Sequence, residues 1–212
     1  MISTVLHKAD FDSMETRYRT RFFNSLTGMK SANLIGTRDE SGHTNLAIFS
    51  SAVHVGANPP LIGLIVRPQT VPRHTFQNIL ETGWFTVNHV TRTFYREAHR
   101  TSARYAEGES EFARCGLTEQ YGELHPAPYV KESVVKLGLR HLEDHYIKTN
   151  GTILVIGQVL EIMVPEALIG PDGYVDIEAA GSLAVSGLDS YHLTERLERL
   201  PYAKADEEDP GA

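Results

Sequence analysis

Two histidines four residues apart, His141 and His145, enclose Leu142, Glu143 and Asp144 and form the first cluster in the chain that could hold a metal. Zinc proteases place a Glu directly after the first His and put the pattern on a helix, so that both imidazoles share one face. Here the Glu is displaced and the flanking sequence reads as strand and turn, so the expectation is polar residues on a barrel rim and no metal. Cys115 is the only cysteine, which excludes an intramolecular disulfide framework and a multi-cysteine metal site. With no catalytic partner evident in the sequence, it reads as a small, half-buried thiol. The chain contains no G-x-G-x-x-G, no G-x-x-x-x-G-K followed by Ser or Thr, and no G-x-S-x-G. A Rossmann dinucleotide site, a P-loop and a nucleophile elbow therefore have no signature.

Composition narrows the class further. Hydrophobic residues make up 41% and charged residues 22% of 212 positions, which is the balance of a folded globular domain. The net charge is −7, part of it in Asp206, Glu207, Glu208 and Asp209 of an acidic tail over 205–212 that is expected to fray. Lys and Arg are scattered, so the basic face that a nucleic-acid backbone requires is missing. Residues Met1 to Asp10 lack the apolar stretch of a signal peptide. The longest apolar run, Leu61 to Val66, is far short of the ~20 residues that span a bilayer. The expectation is a cytoplasmic protein with no membrane or nucleic-acid partner.

The elements that must position any site are mostly strands. A helix about residues 12–27, with Met14, Tyr18, Phe22, Phe23 and Leu26 at helical spacing, is expected to decorate a single domain over 1–204 and to pack one face on it. Ser31 to Thr37 and His43 to Ser51 flank the turn-rich Asp39-Glu40-Ser41-Gly42 and read as a hairpin. Leu61 to Val66 reads as a strand buried on both faces, His74 to Glu81 as a short helix, and Trp84 to His89 as a strand. Thr93 to Ala103 reads as helical, and Glu107 to Tyr129 as loop with a helical turn at Glu109 to Cys115. Val134 to Leu142 and Thr152 to Val164 read as an antiparallel pair. Many short strands with few long helices favour a mainly β, closed or partly closed barrel over a doubly wound sheet.

One block carries more than periodicity. It runs from Asn45 through Ala47, Ser50 and His54 to Asn58-Pro59-Pro60, continues along Leu61 to Ile65, and ends in Arg67-Pro68 and Arg73-His74-Thr75-Phe76-Gln77-Asn78-Ile79. Trp84-Phe85-Thr86-Val87-Asn88, Thr101-Ser102-Ala103, Glu111-Phe112, Gly116-Leu117-Thr118, Pro128 to Ser133, Gly151 to Gly157 and Gly187-Leu188-Asp189-Ser190-Tyr191 follow in order. Spread over roughly residues 30–192, these segments resemble the flavin reductase-like family of FMN-binding split β-barrels. The resemblance implies a predominantly antiparallel split barrel with peripheral helices, non-covalent FMN, NAD(P)H as co-substrate, a small-molecule substrate and a homodimer. It also implies that Arg67, Arg73, His74 and Thr75 serve the FMN phosphate, that Asn78 serves either the helix or the phosphate loop, and that Ser102 belongs to the cofactor site. Asn45, Ala47, Ile48, Phe49, Ser50, Ser51 and Ala52 would then lie along the ring.

Those residue types suit that ligand. A phosphate dianion needs cations, hydroxyls and free amides together, which a helix start preceded by Arg supplies, whereas a flat apolar ring sits well against extended chain with small side chains. Plainer readings stand beside these: Thr75 as an N-cap, Arg73 as a solvated side chain, and serines facing water. His54 either touches flavin or substrate or packs beside Pro59 and Pro60, and Tyr191 either stacks on substrate or belongs to the core. Relatives often carry Lys-Asp before the Thr where this chain has Arg73-His74, so the cation is kept while its geometry is open. The activity implied is an FMN-dependent oxidoreductase; the alternative is a non-catalytic FMN-binding protein or electron carrier without a nicotinamide site.

Overall fold

A computed structural model describes residues 3–70, 74–106, 108–202 and 204. Arg73, on which part of the expected phosphate contact rests, and the acidic tail lie outside the described residues. In chain order the elements are α1 (Lys8–Ser13), α2 (Thr16–Leu26), β1 (Lys30–Ser31), β2 (Asn33–Arg38), β3 (Thr44–Phe49), β4 (Ala52–Ala57), β5 (Pro60–Val66), α3 (His74–Thr82) and β6 (Trp84–His89). They continue with α4 (Tyr95–Arg100), α5 (Glu111–Cys115), β7 (Glu119–Gln120), β8 (Tyr129–Val130), β9 (Lys136–Ile147), β10 (Thr152–Met163), β11 (Ala184–Ser186) and β12 (Ser190–His192).

Seven strands form one antiparallel sheet in the order β3-β2-β6-β9-β10-β5-β4. Its two edge strands, β3 and β4, are consecutive in the chain and are joined by Ser50 and Ser51 alone. Three peptide steps from Phe49 to Ala52 reach at most about 11 Å, so the two edges meet at that end and the sheet curls into an incompletely closed barrel. The expected strand from His43 to Ser51 is therefore corrected: the chain leaves one edge after Phe49 and enters the other at Ala52. Ser51 marks the crossing. Its hydroxyl donates to the Ile65 carbonyl at 3.0 Å and accepts from the Ile65 amide at 3.2 Å, standing in for a ladder residue.

Inside the barrel lie Ile35, Leu64, Val66, Phe85, Val87, Leu139, Ile153 and Val155, and α3 plugs one end with Phe76 and Ile79. A second core forms where β2 and β3 meet α4, α5 and the short β1-β11-β12 sheet, around Leu34, Leu46, Val90, Phe94, Phe112 and Leu183. The segment from His125 to Val130 covers another part of the sheet so closely that only glycine fits beneath it. A Cβ on Gly36 would overlap the Pro128 carbonyl, and one on Gly138 would overlap the Tyr129 hydroxyl. Tyr129 donates to Glu161 Oε1 at 2.8 Å and anchors the cover.

Other expectations shift in detail. The N-terminal helix is two helices, because Glu15 caps α2 by accepting from the amides of Arg17 and Tyr18. Neither helix buries a residue, so the expected packed face is absent; its aromatic residues pair mostly among themselves, with Phe11 edge-on to Phe23 at 5.2 Å. Strand β5 is buried on one side only, since Leu61 and Ile65 keep partial exposure. Helix α4 is shorter than Thr93 to Ala103. Strand β9 runs five residues beyond Leu142, so His141 and His145 lie on a strand and bind Asp144 and Glu143. No group of three potential metal ligands occurs among the described residues. Cys115 is fully buried rather than half-buried, with its sulfur 3.4 Å from the Tyr105 hydroxyl.

Candidate flavin site

The first turn of α3 lies against the open edge of the barrel. Thr75 is the second residue of the helix and is buried, so it is no N-cap. Its Oγ1 accepts a hydrogen bond from Asn45 Nδ2 on β3 at 2.9 Å. A hydroxyl that already accepts keeps its own proton available, so the Asn45 clasp turns Thr75 into a donor at the positive end of the helix. Asn78, one turn on, donates to Thr37 Oγ1 on β2 at 3.1 Å and ties the helix to the barrel. His74 opens the helix and is exposed, as is Arg67 just beyond β5.

The β3 edge offers backbone groups. Leu46 N–H points away from β2 and meets Glu111 Oε2 at 2.9 Å. Strand alternation then aims the Ile48 N–H and C=O at the same open edge, while Asn45, Ala47 and Phe49 pair inward with β2. Ala47, Ile48, Phe49, Ser50, Ser51 and Ala52 are all partly exposed and run along the seam. Ser51 is committed to Ile65, which leaves Ser50 as the uncommitted hydroxyl of the crossing among the expected pair.

Two neighbouring segments complete the surroundings. Ser110 Oγ lies 2.7 Å from Thr44 Oγ1, which donates at 2.7 Å to Glu119 Oε1, so the start of α5 is pinned to β3 at two successive outward positions. Burial raises the Glu111 carboxyl above its ordinary value, against the lowering effects of the Leu46 amide, its own amide and His74. Glu111 escaped sequence reasoning because an acid in the first turn of a helix has an ordinary explanation in the helix dipole. Ser102 is exposed and donates to the His99 carbonyl at 2.7 Å, closing the end of α4.

The two expected substrate residues lie on different sheets. His54 is exposed on β4 opposite Ile62. Tyr191 sits on β12, its ring 5.5 Å from Tyr95 and its hydroxyl 3.0 Å from His99 Nδ1, and burial pushes its phenol up to about 12. It is a neutral aromatic surface at physiological pH.

Architecture and edge together define a mainly antiparallel split barrel with peripheral helices and a buried threonine hydroxyl at a helix start on its seam. A model of the flavin reductase like domain matches residues 29–178, and the chain belongs to that family. A proposed flavin reductase with a split barrel domain from Shewanella frigidimarina is 48% identical, with a TM-score of 0.92 over 95% of this chain and all of the other. Flavoredoxin of Desulfovibrio vulgaris is 27% identical, with a TM-score of 0.69 over 84% of this chain and 93% of that one. Component B of nitrilotriacetate monooxygenase from Bacillus cereus shares the fold at 21% identity and a TM-score of 0.82 over 93% of this chain and all of the other.

Proposed function

We propose that the protein is an FMN-dependent oxidoreductase that accepts hydride from NADH or NADPH and passes the electrons to a small-molecule acceptor, working as a cytoplasmic homodimer. The carrying observation is the Asn45 to Thr75 hydrogen bond, which presents a hydroxyl proton at the start of α3 beside an open strand edge. That arrangement suits a phosphate monoester with a flat ring attached.

Thr75 and the first amides of α3 would hold the phosphate, with His74, Arg67 and Arg73 as cations and Asn78 keeping the helix seated. Asn45, Ala47, Ile48, Phe49, Ser50, Ser51 and Ala52 would lie along the ring, Ile48 through its edge backbone groups, and Ser102 would stand at the rim. Bound flavin supplies the ability to take two electrons as hydride and to release them to an acceptor. The chain orients the ring and shields one face, and it needs no acid or base of its own. His54 and Tyr191 would meet co-substrate or acceptor. Pairing of two chains has support in Val53, Val55, Leu160 and Ile162, apolar side chains 44–59% exposed on β4 and β10. No helix among the described residues is long and apolar enough to cross a membrane.

The test is an absorption spectrum of purified protein reconstituted with FMN, followed by anaerobic mixing with NADH and NADPH. A protein-bound flavin spectrum that bleaches with either nucleotide is the expected result. A bound spectrum that never bleaches leaves a flavin binder without a nicotinamide site, and no bound flavin removes the reading altogether.

A further inference from the structure

We infer that the Glu111 carboxylate sets the residence of the flavin phosphate, so that FMN exchanges when Glu111 is ionised and is retained when it is neutral. The inference rests on the FMN reading above. It also goes beyond that reading, because it makes retention of FMN depend on the charge of one carboxyl group.

Adjacent residues of one strand hold the two groups concerned. The side chain of Asn45 holds the Thr75 hydroxyl, and the amide of Leu46, the next residue, holds the Glu111 carboxylate at 2.9 Å. Consecutive Cα atoms lie about 3.8 Å apart and each contact adds one hydrogen-bond length, so a dianion seated at Thr75 lies within roughly 10 Å of a like charge. The segment that carries Glu111 is pinned to β3. Ser110 is tied to Thr44, Thr44 to Glu119, and Glu119 accepts from the Tyr121 hydroxyl at 2.8 Å.

The charged groups around Glu111 do not cancel it. His74 on α3 is the charged group that bears on the carboxylate among the described residues, and it is exposed. On α5 and the turn before it, Arg114 is engaged by Glu109 at 3.8 Å. On β7, Glu119 adds a second negative charge, shared with Thr44 and Tyr121. Burial already disfavours the ionised form of Glu111, and an arriving phosphate disfavours it further. Binding of FMN therefore draws a proton onto Glu111, and loss of that proton promotes release.

The test compares the full chain with Glu111→Gln, which keeps an acceptor for the Leu46 amide and removes the charge. FMN and riboflavin are titrated by flavin fluorescence between pH 5 and 8. At pH 8 the Gln variant should bind FMN about tenfold more tightly, the equivalent of one unit of carboxyl shift, and release it more slowly. The two proteins should converge towards pH 5, and riboflavin, which lacks phosphate, should show no gap. A second readout is calorimetry of FMN binding between pH 5 and 8 in buffers of different ionisation enthalpy, in which the unaltered protein should take up protons that the Gln variant does not. FMN binding without the gap or without uptake, or an equal gap for riboflavin, overturns the inference and leaves the FMN reading standing. Failure of the unaltered protein to bind FMN at any pH overturns both, and failure of the Gln variant alone overturns the inference.

Discussion

At the residue scale, Thr75 is the side chain whose removal should separate phosphate recognition from ring recognition. Thr75→Ala deletes one hydroxyl donor to a dianion and leaves Asn45 Nδ2 without its partner. A hydrogen bond to a charged group contributes about 1.5–3 kcal/mol, so FMN affinity should fall roughly tenfold to a hundredfold, while riboflavin affinity changes little. Fluorescence titration of both ligands checks this, and Thr75→Ser should restore most of the loss. His89 makes a different, structural prediction. It lies on β6 with Nδ1 2.9 Å from Ser182 Oγ, and burial drops its value from 6.5 to about 4. The unfolded chain thus takes up this proton near pH 6.5 and the folded chain only near 4, so acidification favours unfolding across that window. Stability should be full above about 6.5 and should decline by up to about 3 kcal/mol towards pH 4. Urea midpoints measured across that range should show a shallower decline in His89→Asn.

At the scale of elements, the crossing between β3 and β4 depends on Ser51. Ser51→Ala strips partners from both Ile65 N–H and Ile65 C=O and should lower stability by about 1–2 kcal/mol, read as a shifted denaturant midpoint with unchanged slope. Hairpins were the legible part of this fold. Asp39 to Gly42 advertised the β2 to β3 turn, where the Asp39 carboxylate accepts from His43 N at 2.8 Å, and the β-branched run of β10 advertised its pairing with β9. Local turn chemistry and period-two burial write such features into neighbouring residues. What stayed hidden was non-local. Nothing in Ser50-Ser51 distinguishes a mid-strand pair from a passage between sheet edges. The β1-β11-β12 sheet joins residues 30–31 to 184–192, with strands too short to show a period. For the site, Arg73-His74-Thr75 and the Asn45 strand were readable as types, whereas the Asn45 to Thr75 clasp and the Glu111 contact exist only after folding brings residues 30 and 65 positions apart together.

At the scale of the whole molecule, the apolar outer side of β4 and β10 predicts association. Val53, Val55, Leu160 and Ile162 are 44–59% exposed, and on β10 the last two flank Glu161, where the cover formed by residues 125–130 is anchored. Analytical ultracentrifugation should give the mass of two chains. Val55→Arg, at a position 44% exposed whose side chain lies over Gly63, should shift the population towards single chains in sedimentation at matched concentration. The edges of the seam have a bearing on solution behaviour too. A terminal strand normally offers a ladder of vacant amides on which foreign strands can template amyloid-like growth. In this barrel the two terminal strands face each other across a two-residue link, and one amide of that ladder is already taken by Glu111. The link brings the two selvedges together at one end without pairing them, so an occupant of the seam that takes the Ile48 amide should make the loaded protein tolerate concentration better than the empty one.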